Sequence, residues 1–124
     1  MRPKSTVLTA HELEIMKIVW RREGATVRDV YQELLKRRGI AYTTVMSVMK
    51  TLEQKGYLAA TQQERAYHYR PTRPKNQVIR EMVRDFVERV FNGSAQPLVV
   101  HLMEDDQLSE SDLREITRMR GKKK

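Results

Sequence analysis

Residues 41–58 read AYTTVMSVMKTLEQKGYL, and this stretch decides how the rest of the chain is read. Val45, Val48, Met49 and Leu52 recur at i, i+3, i+4 and i+7, the stripe of a helix with one face in a core. Thr43, Ser47, Lys50 and Gln54 stand at i, i+4, i+7 and i+11 and share the opposite line, flanked by Thr44, Met46 and Thr51. A solvated helix face normally mixes both signs of charge. This line has short hydroxyls, an amide and one amine, with no carboxylate; Glu53 falls off it. Such groups suit the floor of a DNA major groove. There Ser and Thr reach base edges, Lys reaches guanine acceptors, and apolar atoms meet the thymine methyl. A carboxylate on the line would oppose phosphate. Gly56 provides the stop.

Two further helices are expected upstream. Thr9 and Glu12 have the spacing of a capping box, with Leu8 and Leu13 placed to staple across it. Leu13, Met16, Val19 and Trp20 then form the apolar side of a first helix that ends near RREGA. Thr26 and Asp29 repeat the capping signature ahead of Val27, Val30, Tyr31, Leu34 and Leu35, with Gly39 as the expected stop. After Gly56 the period drops to two. YLAATQQ and AYHYRPT predict a hairpin around QQER, with Tyr67 and Tyr69 on one face and His68 on the other. One tyrosine of the pair is expected in the core. Three short helices and a hairpin follow the order of a winged helix-turn-helix; a three-helix bundle with an incidental hairpin is the competing arrangement.

The charge distribution fits the same division. The 124 residues carry a formal charge of +8 with no cysteine. Residues 1–73 hold 14 Lys/Arg against 7 Asp/Glu, and residues 74–124 hold 10 against 9. The anion-seeking part is therefore 1–73, read as the DNA-binding domain, and nucleic acid is its first expected partner. Thr26, Arg28 and the run Lys36, Arg37, Arg38 are placed to hold the phosphate backbone, as are Arg65 and Tyr67 on the hairpin.

Residues 74–124 are read as a helical dimerisation region with a basic C-terminal tail. A helix over about 75–91 bears Ile79, Met82, Val83, Phe86 and Val90, joined by Val78, Val87 and Phe91. NGSAQ breaks it, and Pro97 opens a second helix carrying LVVHLM into EDD. Ser109 and Asp112 cap a third, whose Leu113, Ile116 and Met119 face inward. About 50 residues enclose too little volume to be stable alone, so a second copy of the chain is the expected cover.

Absences narrow the function. Without cysteine there is no disulfide, thiolate nucleophile or cysteine metal site, which fits a reducing cytoplasm. His11, His68 and His101 are dispersed, and the chain has no hydrolase, zinc-peptidase or phosphate-loop motif. EDD at 104–106 reads as a solvated helix end. No enzyme, metal or cofactor is expected, and no segment is long and apolar enough for membrane insertion.

LTAHELEIMKIVW, TVRDVYQELLKRRGIAYTTVMSVMKTLEQKGYL, ERAYHYRPT and NGSAQPLVVHLMEDDQLSESDLREI together resemble the BlaI/MecI/CopY family of bacterial repressors, over roughly residues 7–119. The resemblance implies a mainly α protein: a winged helix-turn-helix domain with a small β-hairpin, then helices that interlock two protomers. It implies a homodimer on a palindromic operator, often built from TACA/TGTA half-sites and overlapping a promoter. Base contacts would fall on Thr43, Thr44, Ser47, Lys50 and Thr51, and wing contacts on Arg65 and Tyr67; Tyr42, Thr26 and Arg28 complete the set of residues expected to touch DNA. Dimer contacts would fall on Ile79, Met82, Val83, Phe86, Val90, Leu98, Leu102, Leu113 and Ile116. In the β-lactam branch, a membrane-bound zinc metallopeptidase sensor, directly or through an associated protease, triggers cleavage in the dimerisation region. That position aligns on His101 and Leu102, where this chain lacks the Asn-Phe pair of the characterised members. Ala41, Tyr42, Thr43 and Thr44 likewise stand where many members have Ser-Pro-Lys-Thr. The copper branch uses C-terminal cysteines, so the likeness is to the penicillinase-repressor type. Two other readings remain at this point: a winged-helix regulator released by a small ligand, and a protein-interaction adaptor with incidental DNA affinity.

Overall fold

Each helix of the first part is set at its start by a local hydrogen-bond pattern and oriented by what it buries. The structure, a computed structural model, describes residues 7–122. In helix α1 (Ala10–Arg22) the Thr9 N–H donates to Glu12 Oε1 at 2.9 Å, and the Glu12 N–H donates to Thr9 Oγ1 at 3.2 Å. Leu8 is buried and Leu13 packs against the same core cluster. Helix α2 (Val27–Leu35) opens with the same reciprocal pair, Thr26 and Asp29, both bonds at 3.0 Å. Helix α3 (Tyr42–Gln54) has Ala41 at its N-cap with no side-chain bond. Its far end is closed by a Schellman motif. Gly56, at φ 89°, donates to Glu53 O, and the Tyr57 N–H donates to Leu52 O at 2.9 Å.

Strands β1 (Leu58–Gln63) and β2 (Ala66–Pro71) pair antiparallel, with Leu58 opposite Pro71 and Gln63 opposite Ala66. The two residues left for the turn are Glu64 and Arg65, and Glu64 takes φ 57° without being glycine. Ala25 adds a bridge to β2, exchanging bonds with Tyr69 at 2.9 and 2.8 Å. Gly24 leads into that bridge at φ 137°, a backbone conformation that side-chain-bearing residues rarely adopt.

The core is built from Ile15, Met16, Ile18 and Val19 of α1, Val30 and Leu34 of α2, and Val45, Met49 and Leu52 of α3, closed by Leu58 and Tyr69. Two details depart from the sequence pattern. Ile15 and Ile18 are 1% exposed, so α1 buries a wider face than the expected stripe. Leu35 is 45% exposed, because α2 ends there, four residues short of Gly39, through bonds from Lys36, Arg37 and Arg38 to Glu33 and Leu34 carbonyls. Gly39 adopts no positive φ.

Helix α4 (Lys75–Phe91) has its first turns in the first of two compact units, which runs through Met82. Val78 is 1% exposed in the core, Arg73 pairs with Glu81 at 2.9 Å, and Trp20 Nε1 donates to Arg73 O at 3.0 Å. The second unit, from Val83, holds the rest of α4, α5 (Gln96–Glu104) and α6 (Glu110–Lys122). Asn92 and Gly93, both at positive φ, make the break after α4, and Pro97 falls in the first turn of α5. Ser109 and Asp112 form the third capping pair, at 2.9 and 3.0 Å. Phe86 and Phe91 meet edge to face, and Phe91 also touches the His101 ring. The order of elements is that expected: mainly α, with one small hairpin.

Candidate nucleic-acid interface

Helix α3 separates its two roles cleanly. Val45, Met49 and Leu52 are fully buried, while Thr43, Ser47, Lys50 and Gln54 are all exposed. The buried side fixes the roll of the helix, so the polar line is held outward by packing rather than by its own contacts. With no side-chain cap at Ala41, the first turn is steadied by a ring contact: Tyr42 meets Tyr31 of α2 edge to face, centroids 5.3 Å apart.

The outer side of α3, the start of α2 and the inner face of the hairpin enclose an open groove of about 1070 Å³. Nine of the ten expected DNA-contacting residues line it: Thr26 and Arg28 from α2, Tyr42, Thr43, Ser47, Lys50 and Thr51 from α3, and Arg65 and Tyr67 from the hairpin. Thr44 is exposed but outside the groove. Met46 adds an apolar surface that is 44% exposed. Of the two hairpin tyrosines, Tyr69 is core at 5% exposure and Tyr67 is open at 55%.

The groove is electropositive and its cations are uncommitted. No ion pair among the described residues engages Arg28, Lys50 or Arg65, whereas Arg21, Arg22, Arg37, Arg38, Lys55 and Arg73 all face carboxylates. The N–H groups of the first turn of α2 have no intrahelical acceptor, and they add a fixed partial positive charge at Thr26–Arg28. The Thr26 N–H bond holds the Asp29 carboxyl below its usual range, against the opposing effect of burial, with help from the Thr26 hydroxyl and Arg22. Asp29 therefore stays ionised and is spent on its cap.

Two features of the site escaped the sequence. Glu53, which the helical line excludes, lines the groove with Tyr69. Burial raises the Tyr69 hydroxyl above its ordinary range, and the Glu53 charge raises it further. The run Lys36–Arg38 does not line the groove. Arg38 Nη2 lies 2.7 Å from Glu14 Oε1 and 3.2 Å from His11 Nδ1, and Arg37 is 3.7 Å from Glu14. These cations serve the α1–α2 contact. Sequence offered no signal for it, since Glu14 and Arg38 are 24 positions apart.

Outside the groove, Val83, Phe86, Val90 and Ile116 expose 51, 40, 48 and 45% of their surface, and Ile79, Met82, Leu98, Leu102 and Leu113 are half-buried. Leu113 is thus partly covered within the chain, while Ile116 and Met119, expected to face inward, are exposed. His101 is exposed, and the His101–Leu102 bond lies inside α5.

A three-helix core, a hairpin and an exposed polar helix facing a basic groove define a winged helix-turn-helix DNA-binding protein. The same architecture is found in the solution structure of the DNA-binding domain of the repressor BlaI, at TM-score 0.53 and 26% identity, over 60% of this chain and 90% of that one. The chain belongs to the penicillinase repressor family, whose model matches residues 8–120. It is similar to the transcriptional regulator BlaI of Mycobacterium tuberculosis, 33% identical over 88% of this chain and 80% of that protein. It is also similar to the penicillinase repressor of Bacillus licheniformis, 29% identical over 85% of this chain and 82% of that protein. The methicillin resistance regulatory protein MecI of Mammaliicoccus sciuri is 21% identical over 99% of this chain and its own full length. The family is one of DNA-binding transcriptional repressors rather than enzymes. Among the described residues no helix is long and apolar enough to cross a membrane.

Proposed function

We propose that the chain is a homodimeric repressor that occupies a palindromic DNA operator and acts in the cytoplasm. The observation that carries this reading is the groove: uncommitted cations, hydroxyls and a thymine-compatible methionine converge on one face of a helix whose other face is locked in the core. In the bound state α3 enters the major groove, where Thr43, Ser47 and Lys50 read base edges and Met46 meets a thymine methyl. The α2 N-terminus and Arg65 with Tyr67 hold phosphates on either side. Thr44, though exposed, lies outside the groove and contributes least. Two such helices in a dimer sit about one DNA turn, ~34 Å, apart and match a palindrome. The apolar side chains left open on α4 and α6 support pairing with a second copy, which also gives residues 83–124 the burial they lack alone.

Release by proteolysis, downstream of a membrane-bound zinc metallopeptidase sensor or its associated protease, belongs to the same proposal and rests on the family likeness. A cut at His101–Leu102 requires local unwinding of α5, because proteases take extended backbone.

Lys50→Ala and Arg65→Ala test the division of roles. Lys50→Ala is expected to cost about 1–3 kcal/mol on the preferred duplex and to relax base choice at one position. Arg65→Ala is expected to weaken preferred and random duplexes alike and to flatten the salt slope by about one unit. Equal effects of both changes on both duplexes would overturn the assignment.

A further inference from the structure

Glu12 is the one buried charged side chain among the described residues, at 6% exposure, and its partner comes from the C-terminal end of α3. Lys55 Nζ lies 2.8 Å from Glu12 Oε1 and donates to Val7 O at 3.2 Å, and its side chain is 13% exposed. The same Oε1 accepts the Thr9 N–H that closes the α1 capping box. Lys55 is the C-cap residue of α3. The pair therefore ties the C-cap of the groove-facing helix to the first turn of α1, across 43 positions of sequence.

The energetics of such a pair do not explain its presence. Desolvating two charges offsets most of their attraction, and apolar replacements of the same volume are often neutral or stabilising. What the pair supplies is geometry. A slip of one residue moves a helix end by about 1.5 Å and rolls it by about 100°. Core packing of Val45, Met49 and Leu52 excludes such a slip, and the pair adds a tether that holds the C-terminal end of α3, and with it Lys50, against α1. At its other end α3 has no side-chain cap.

We infer that Glu12 and Lys55 are positioning residues for DNA reading: their buried pair holds the C-terminal end of α3 against α1, adding to the core packing that sets the helix's roll, and so sharpens the discrimination between base sequences. The inference rests on α3 being the helix that enters the major groove. Its test compares the duplex that the wild-type protein selects from a random pool with a scrambled duplex of equal length. Glu12→Gln keeps a capping-box acceptor and a hydrogen bond for Lys55, and it is expected to retain the preferred-to-scrambled affinity ratio. Glu12→Gln combined with Lys55→Met keeps the capping box and buries no charge. It is expected to melt close to the wild type while losing roughly tenfold in that ratio, the worth of one base contact. Affinity for the scrambled duplex and the salt slope are expected to hold. A folded double variant with an undiminished ratio overturns the inference. Should the double variant not fold, Lys55→Arg, which keeps the charge but moves the donor, reads the same ratio: a drop supports the inference and retention overturns it. A wild-type protein that selects no duplex overturns the reading of α3, and the inference with it.

Discussion

Leu34 and Leu35 are neighbours on α2, and hydrophobic periodicity puts both on its apolar side; the structure separates them. Leu34 is fully buried and Leu35 is 45% exposed. Truncating either to alanine removes three carbons. At about 0.8 kcal/mol per buried carbon, Leu34→Ala forfeits about 2.4 kcal/mol of transfer free energy. The cavity it leaves among Val30, Val45 and their neighbours adds to that, bringing the loss to roughly 3–4 kcal/mol. Leu35→Ala gives up little more than half of the transfer contribution, about 1.3 kcal/mol, and opens no cavity. Urea unfolding of the full chain, followed by far-ultraviolet circular dichroism, measures both. The midpoint is expected to move strongly for Leu34→Ala and slightly for Leu35→Ala, with the slope unchanged in each. Losses equal within about 0.5 kcal/mol, against the usual scatter of surface substitutions, would refute the reasoning. They would mean that Leu35 is covered and that the core assignment on α2 is wrong.

The Asp29 capping carboxylate has its pKa lowered by folding, so its contribution is fully present above the unfolded value of about 3.8 and is lost as pH falls through the lower folded value. Asp29→Ala is expected to cost about 1 kcal/mol at neutral pH, and to flatten the acid limb of the stability curve measured by thermal melts between pH 5 and 2. Phe86→Asp places a charge on the exposed apolar side of α4. Sedimentation equilibrium is expected to show a dimer for the wild type and a monomer for the variant, with the monomer retaining its helical spectrum; a variant that dimerises as the wild type does would remove α4 from the proposed interface.

The parts of the fold that were legible in the sequence are those set by neighbours along the chain. Thr9 with Glu12, Thr26 with Asp29 and Ser109 with Asp112 are each three residues apart, and all three pairs form. The stripe Val45, Met49, Leu52 and the polar line opposite it were legible for the same reason. Features decided by residues distant in sequence were not. Ile15 and Ile18 gave no stripe because α1 is covered on more than one side. Lys55 carries no signal of its own in the sequence, and only the fold brings it to Glu12. Arg38 looked free for phosphate until α1 brought Glu14 within 2.7 Å. Glu53 sits off the helical line, yet it lines the groove because the hairpin approaches α3 from that side. Positive φ also fell on side-chain-bearing Glu23 and Glu64 rather than on a glycine signal. At Glu64 a two-residue turn forced it.

The decisive measurement is the affinity of the intact protein for DNA upstream of its own operon, beside a scrambled duplex of the same length, titrated over a range of salt. The groove on α3 predicts tighter binding to the upstream duplex at every salt concentration. It also predicts a ratio between the two affinities that persists or widens as salt rises, since base contacts are screened less than phosphate contacts. Two affinities that stay equal at every salt would reduce the protein to a nonspecific polyanion binder and contradict the role given to Thr43, Ser47 and Lys50.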